Sequence, residues 1–214
     1  MTEAVPPGYP VSLSLSGRRV VVVGGGRVAT RRVAELLDAG AAVEVVAPDL
    51  SPTLETWAGA KRLTATRRPF LPEDLAGAWL AFAATDDPEV NRAVVAAAEE
   101  RRCLVSSATG GVQSLRPMAV VRRGHLEVAV GTSGRSPAVA RWLRRRLEAD
   151  IGPEYGVLVD LAAEERDRLL ATDVRGEQPD WQGALDSGIL EAIRAGNLDK
   201  ARKGLRTCLS SSSG

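Results

Sequence analysis

The sequence predicts an α/β fold in which a doubly wound parallel sheet is followed by a small hairpin and a C-terminal helical region. Three observations predict it. Arg19 to Val23 reads RVVVV, a continuous β-branched run of the kind shown by a strand buried on both faces. GGGRVA follows at once and opens onto an amphipathic stretch with Ala29, Val33, Leu36 and Leu37 on one side. Strand-like and helix-like segments then alternate as far as Ser106 and stop alternating afterwards.

Taken in order, the first helix is expected from about Val28 to Ala39, ended by Gly40. Val43 to Ala47 (VEVVA) is the second strand and closes a strand, helix, strand unit. Ser51-Pro52 supplies a cap and a first-turn proline for the next helix. Arg62 to Thr66 is a third strand and Trp79 to Ala84 (WLAFAA) a fourth. Thr85-Asp86-Asp87-Pro88 starts a helix that runs to about Arg102, before a strand at Cys103 to Ser106. Beyond that point Met118 to Val121 and Leu126 to Val130 flank Arg123-Gly124-His125 as a hairpin. Helices are expected near Ala138 to Ile151, Leu158 to Leu170, Trp181 to Ala195 and Leu198 to Leu205. The expected domains are 1–111, a dinucleotide-binding domain; 112–151, hairpin and helix; 152–209, a helical domain; and 210–214 (SSSSG), a disordered tail, with the main boundary near Val112.

Composition narrows the function. At 214 residues and 44% apolar, the chain can bury one substantial core and a smaller second unit. No apolar run approaches the ~20 residues of a membrane span, and Met1 to Pro10 has no signal-peptide pattern, so a soluble, cytoplasmic protein without a membrane partner is expected. Cys103 and Cys208 lack zinc-type spacing, and no metal site is expected. Net charge is +1, yet Arg116, Arg122, Arg123, Arg135, Arg141, Arg144, Arg145 and Arg146 face only Glu127, a local balance of +7. That segment suits a polyanionic ligand. For Arg144 to Arg146 a solvated helix face is the alternative, since Val139, Leu143 and Leu147 form an apolar stripe expected to be buried beside Trp142. With aromatics at 4%, no nucleic-acid partner is expected.

GGGRVA carries the clearest chemistry. Gly24, Gly26 and Ala29 match the GxGxxG/A fingerprint of Rossmann-like domains, in the required place between a buried strand and a helix. Gly24 permits the tight turn, Gly26 lets the backbone approach a pyrophosphate, and Ala29 allows close helix–strand packing. The first N–H groups of the helix, from Arg27 and Val28 onward, are donors to that anion. Pro48 and Asp49 end the second strand; Asp49, 23 residues past Gly26, suits a ribose hydroxyl and disfavours a 2′-phosphate, so NAD is the expected cofactor. Thr85 and Asp86 end the fourth strand, where open α/β sheets bind ligands, while Asp87 can equally be a helix cap. Gly131 to Pro137 (GTSGRSP) is a second glycine-bearing turn before a helix, suited to an anion through Ser133, Gly134, Arg135 and Ser136, or explained in part by capping from Ser136. His125, the only histidine, falls in a polar turn and is expected at the surface.

These segments together resemble the precorrin-2 dehydrogenases of sirohaem synthesis, some of which are also sirohydrochlorin ferrochelatases. The resemblance rests on Pro10-Val11-Ser12-Leu13, GGGRVATRRVAELLDAGAAVEVVAPDLSP, AATDDPEVN and GTSGRSPAVARWLRRRLE in that order, and spans roughly Tyr9 to Ala201. It implies an NAD-binding domain, a dimerisation hairpin, a homodimer, and a tetrapyrrole substrate whose carboxylates suit Arg116 and Arg135 through charge-assisted hydrogen bonds. The resemblance also implies a catalytic aspartate in the loop after the fifth strand. Here that loop reads SSATGGVQS, and matching from Val105 sets Thr109 at the aspartate's position. A threonine hydroxyl is no general base near neutral pH, so proton transfer falls to water, substrate carboxylates or a neighbour such as Asp86. Dehydrogenation of precorrin-2 to sirohydrochlorin is therefore the expected activity, and ferrochelation the doubtful one. A paralogue that binds a dinucleotide or tetrapyrrole without turnover stays open as the alternative.

Overall fold

The computed structural model describes residues 8–110, 113–171 and 180–211. Val112, where the sequence sets a boundary, and residues 212–214 of the tail lie outside them. The chain divides into two compact units, Met1–Pro117 and Met118–Gly214.

In the first unit, strands β1 (Arg19–Val23), β2 (Ala42–Val46), β3 (Thr64–Thr66), β4 (Leu80–Ala83) and β5 (Leu104–Ser107) form one parallel sheet in the order β3-β2-β1-β4-β5. Helices α1 (Arg27–Asp38), α2 (Pro52–Gly59) and α3 (Pro88–Glu100) are its crossovers. The order reverses between β1 and β4, and it is at such a switch point that α/β sheets open a crevice at their strands' C-terminal ends. The valine run is explained by burial on both faces. Val20 and Val22 join Ala29, Val33, Leu36, Leu54 and Phe82 in one core, whereas Val21 and Val23 join Leu75, Val94, Ala98 and Val105 in another.

The β3–β4 crossover holds a 3₁₀ turn, Pro72–Leu75, that the sequence reading lacks. Side-chain bonds hold it: Asp74 accepts two hydrogen bonds from Arg68 (2.8 and 2.5 Å) and one from the Leu71 N–H (2.8 Å). Leu75, at the end of the turn, is fully buried in the core.

The second unit starts with an antiparallel hairpin, β6 (Ala119–Arg123) and β7 (Leu126–Val130), against which α4 (Pro137–Asp150) packs. Helices α5 (Glu154–Ala171), α6 (Trp181–Leu185), α7 (Ile189–Arg194) and α8 (Leu198–Ser211) bury Leu161, Ala184, Ile189, Ile193, Ala201, Leu205 and Leu209. The single helix expected over Trp181 to Ala195 is two, because the Ser187 hydroxyl folds back onto the Ala184 carbonyl (2.7 Å) and closes the first. The last helix runs to Ser211, two residues into the stretch read as a disordered tail. Among the described residues no helix is long and apolar enough to cross a membrane.

Candidate functional site

The glycine loop continues the sheet before it leaves it, since the Gly24 N–H donates to the Val46 carbonyl (2.9 Å). Gly24 sits at φ +124, and a Cβ there would come 2.7 Å from the Ala84 carbonyl carbon, so only glycine lets the β4–α3 turn approach. Gly25, an unspecified position in the fingerprint, is no freer: a Cβ would lie 2.9 Å from the Asp49 carbonyl carbon and 3.1 Å from the Leu50 Cα. Gly26 is the opposite case. Its Cβ direction meets nothing within 4 Å, and it occupies the N-cap of α1 in extended geometry (φ −85, ψ −166) with no side-chain cap.

The first intrahelical bond of α1 is Thr30 N–H to Gly26 O (2.9 Å), so the N–H groups of Arg27, Val28 and Ala29 precede the helical ladder. Ala29 is fully buried against the sheet, while Arg27 and Val28 are exposed. Open space over Gly26 and donors at a positive helix end that are unclaimed among the described residues fit a pyrophosphate. Pro48 and Asp49, both exposed, follow β2 beside this loop, and the Asp49 carboxylate has no ion pair among the described residues. That leaves it available to a ribose diol.

At the end of β4, Thr85 is held by Asn91, a residue that sequence reading missed. Asn91 is fully buried; its Oδ1 accepts from the Thr85 N–H (3.1 Å) and hydroxyl (2.9 Å), and its Nδ2 donates to the Thr85 carbonyl (2.9 Å). An asparagine three places into a helix gives no local signal of such a clamp. Asp87 is the N-cap of α3, accepting from Glu89 N–H (2.8 Å), and Asp86 is exposed without an ion pair among the described residues.

The loop after β5 consumes its own polar groups. Gln113 Oε1 accepts from the Ser106 hydroxyl (3.2 Å) and the Ser107 N–H (3.0 Å), Ser114 Oγ accepts from the Val105 N–H (2.8 Å), and the Ser107 and Thr109 hydroxyls lie 3.0 Å apart. No ionisable side chain lies among its described residues, Ser106–Gly110, Gln113 and Ser114. Arg116, just beyond, is exposed.

In the second unit the turn before α4 is also self-satisfied. Ser136 Oγ accepts from the Val139 N–H (3.3 Å) and Thr132 Oγ1 accepts from the Ser136 N–H (3.2 Å), with Ser133 at φ +51; Ser133, Gly134 and Arg135 are exposed. Three of the expected ligand arginines are engaged by the protein. Arg123 donates to the carbonyls of Ile151 and Glu148 (2.8 Å each), completing the C-terminus of α4, Arg122 pairs with Glu127 (2.7 Å), and Arg144 with Glu148 (2.8 Å). The buried stripe expected at Val139 is corrected. Val139 is 47% and Trp142 52% exposed, and Ala140 takes the buried place, because a two-stranded hairpin covers too little of the helix. His125 is at the surface, 2.7 Å from Asp160.

Comparison with known proteins agrees with this geometry. An NAD(P)-binding family model matches residues 11–114, which hold the entire parallel sheet. The chain is similar to the siroheme synthase of Nitrosococcus oceani (37% identical over 204 residues, 94% of this chain and 43% of that protein) and to that of Chromobacterium violaceum (39% over 198 residues, 91% and 42%). It thus spans less than half the length of these relatives. Among solved structures it resembles SirC, precorrin-2 dehydrogenase, with a TM-score of 0.73 and 30% identity, covering 94% of this chain and 98% of that one. Likeness over nearly the whole of both chains, together with the glycine loop between β1 and α1, makes this protein a member of the precorrin-2 dehydrogenase family.

Proposed function

We propose that the protein catalyses NAD-dependent dehydrogenation of precorrin-2 to sirohydrochlorin in the cytoplasm. The observation that carries this reading is the likeness to SirC over 98% of that chain. The uncapped N-terminus of α1 supplies what such a reaction needs from the fold.

Gly24, Gly26, Arg27, Val28 and Ala29 hold the pyrophosphate, and Pro48 and Asp49 the adenosine ribose. Thr85, locked by Asn91, borders the crevice at the end of β4. Bound NAD⁺ supplies a hydride acceptor. The substrate gives up a hydride and one proton and gains conjugation, so the protein's task is orientation and provision of a path for the proton. Thr109 cannot be the base; its hydroxyl is tied to Ser107 (3.0 Å) and stays protonated at neutral pH. Asp86, exposed at the end of β4, or water takes that proton. Arg116, Arg135, the Ser133–Gly134 turn and Ser136 are each proposed as donors to substrate carboxylates. Ser136 receives the Val139 N–H and keeps its own proton to donate. Metal insertion is not part of the proposal.

We further propose a homodimer through the hairpin and α4, supported by the exposed Val139 and Trp142 one turn apart on that helix and by the half-buried apolar residues of β7. Sedimentation of Trp142→Glu as a monomer supports this association, and a dimer unchanged in that variant contradicts it.

Anaerobic absorbance with precorrin-2 and NAD⁺ tests the activity. Stoichiometric NADH and sirohydrochlorin are expected. Binding of both ligands without NADH formation contradicts the dehydrogenase and favours the binding paralogue.

A further inference from the structure

We infer that Thr30 and Ser51 are positioning residues for cofactor selectivity: they clasp the β2–α2 turn to the glycine loop and so fix Asp49 at the adenosine ribose. The inference rests on dinucleotide binding at α1 but not on any particular substrate.

Three contacts between Gly25–Thr30 and Asp49–Ser51 make the clasp, and two further hydrogen bonds tie it to the helices α1 and α2. The Ser51 N–H donates to the Gly25 carbonyl (2.8 Å). The Gly25 Cα faces the Asp49 backbone closely enough that a Cβ would sit 2.9 Å from the carbonyl carbon. Thr30 Oγ1 lies 2.8 Å from Ser51 Oγ and donates to the Gly26 carbonyl (2.9 Å). A hydroxyl has one proton, so with Thr30's committed to Gly26 the bond between the two hydroxyls is donated by Ser51. Ser51 Oγ in turn accepts the Leu54 N–H at the start of α2 (3.4 Å). A directed chain thus runs from the first turn of α2, through Ser51 and Thr30, to the carbonyl of the residue that N-caps α1.

Asp49 is exposed, and among the described residues its side chain has no ion pair to hold it in place. Its position is inherited from the backbone on either side. Pro48 precedes it at the end of β2 and Ser51 anchors the chain two residues later. A carboxylate that accepts from a ribose diol also repels a 2′-phosphate, and both effects weaken steeply once it moves beyond hydrogen-bond reach. Loosening the clasp should therefore change the ratio of the two dinucleotide affinities, not merely their level.

Calorimetric titration of NAD⁺ and NADP⁺ into wild type, Thr30→Val, Thr30→Ser and Asp49→Asn tests this. Valine keeps the shape of threonine and removes the hydroxyl. The expected result is about tenfold weaker NAD⁺ binding in Thr30→Val with NADP⁺ binding nearly unchanged. Thr30→Ser should stay within about twofold of wild type, and Thr30→Val should add little to Asp49→Asn because both act through the same carboxylate. Equal weakening of both dinucleotides in Thr30→Val would show a role in helix stability alone and overturn the inference, as would an unchanged NAD⁺ affinity. Wild-type protein that binds neither dinucleotide overturns both the clasp and the proposed activity. Wild-type protein that binds NAD⁺ without oxidising precorrin-2 overturns the activity only, and the selectivity ratios still decide the clasp.

Discussion

Helices α1 and α4 both begin at glycine-bearing turns, yet they treat their first N–H groups in opposite ways. At α4 the Ser136 hydroxyl takes the Val139 N–H and Thr132 takes that of Ser136. At α1 the N-cap is Gly26, which has no side chain to offer. Helix α3 sides with α4, since Asp87 caps it. The difference teaches where backbone N–H groups can hold a pyrophosphate: a helix end offers them when the chain declines to satisfy it, whereas at α4 only side chains are left to meet an anion, and the glycine fingerprint works as much by omitting a cap as by permitting a turn.

The sharpest way to break this comparison is to give α1 a cap. Gly26 already has N-cap geometry and open space at its Cβ, so Gly26→Asp should satisfy the free donors and set a negative charge at the helix's positive end. NAD⁺ affinity is expected to fall about a hundredfold while thermal stability rises, by roughly 0.5 kcal/mol. Weaker binding with lower stability would mean that Gly26 is needed for the backbone itself.

A second test concerns the loop that borders the crevice from β4. Asn91→Leu leaves the Thr85 N–H, carbonyl and hydroxyl without their buried partner, and should lower unfolding stability by about 3 kcal/mol in urea. A loss below about 1 kcal/mol would mean that water replaces the clamp.

Glu165 on α5 is the extreme of a group satisfied by its own chain. Its burial acts to raise the carboxyl's pKa, but hydrogen bonds from Arg206 (2.6 Å) and Arg168 (2.5 Å) outweigh burial and hold it below the ordinary value. A pKa depressed by folding contributes stability that is complete above the unfolded value and is lost as pH falls through the folded one. Stability should thus decline on acidification from about pH 5 toward pH 3. Glu165→Gln should remove part of that slope and lower stability by about 2 kcal/mol at pH 7, because the amide keeps the shape but loses the charge that pairs with both arginines. An unchanged slope would assign it to other carboxylates. The smallest effect is expected from Asp87→Ala, about 1 kcal/mol in stability with NAD⁺ affinity unchanged, since the cap of α3 serves only its helix.

What could be seen in the sequence was local. RVVVV, GGGRVA and Asp87-Pro88 state their roles within a few neighbouring residues, through burial period, turn chemistry and capping, and the parallel sheet, though not its strand order, followed from the alternation of strands with helices. What escaped was tertiary. Gly25 is fixed by the approach of Asp49, Asn91 by Thr85 across a turn, and Gln113 by Ser106 and Ser107 after a loop. The exposure of Val139 was missed for a related reason: a stripe of apolar residues says which side of a helix is apolar, and only the size of the partner element says whether it is covered.

Titration of ¹⁵N-labelled protein with NAD⁺, followed amide by amide, tests the central claim most directly. The account predicts that the largest shifts fall on Gly26, Arg27, Val28 and Ala29, with Glu89 and Val139, the capped amides of α3 and α4, left in place. Shifts concentrated at Glu89 or Val139, with the α1 amides unmoved, would contradict it.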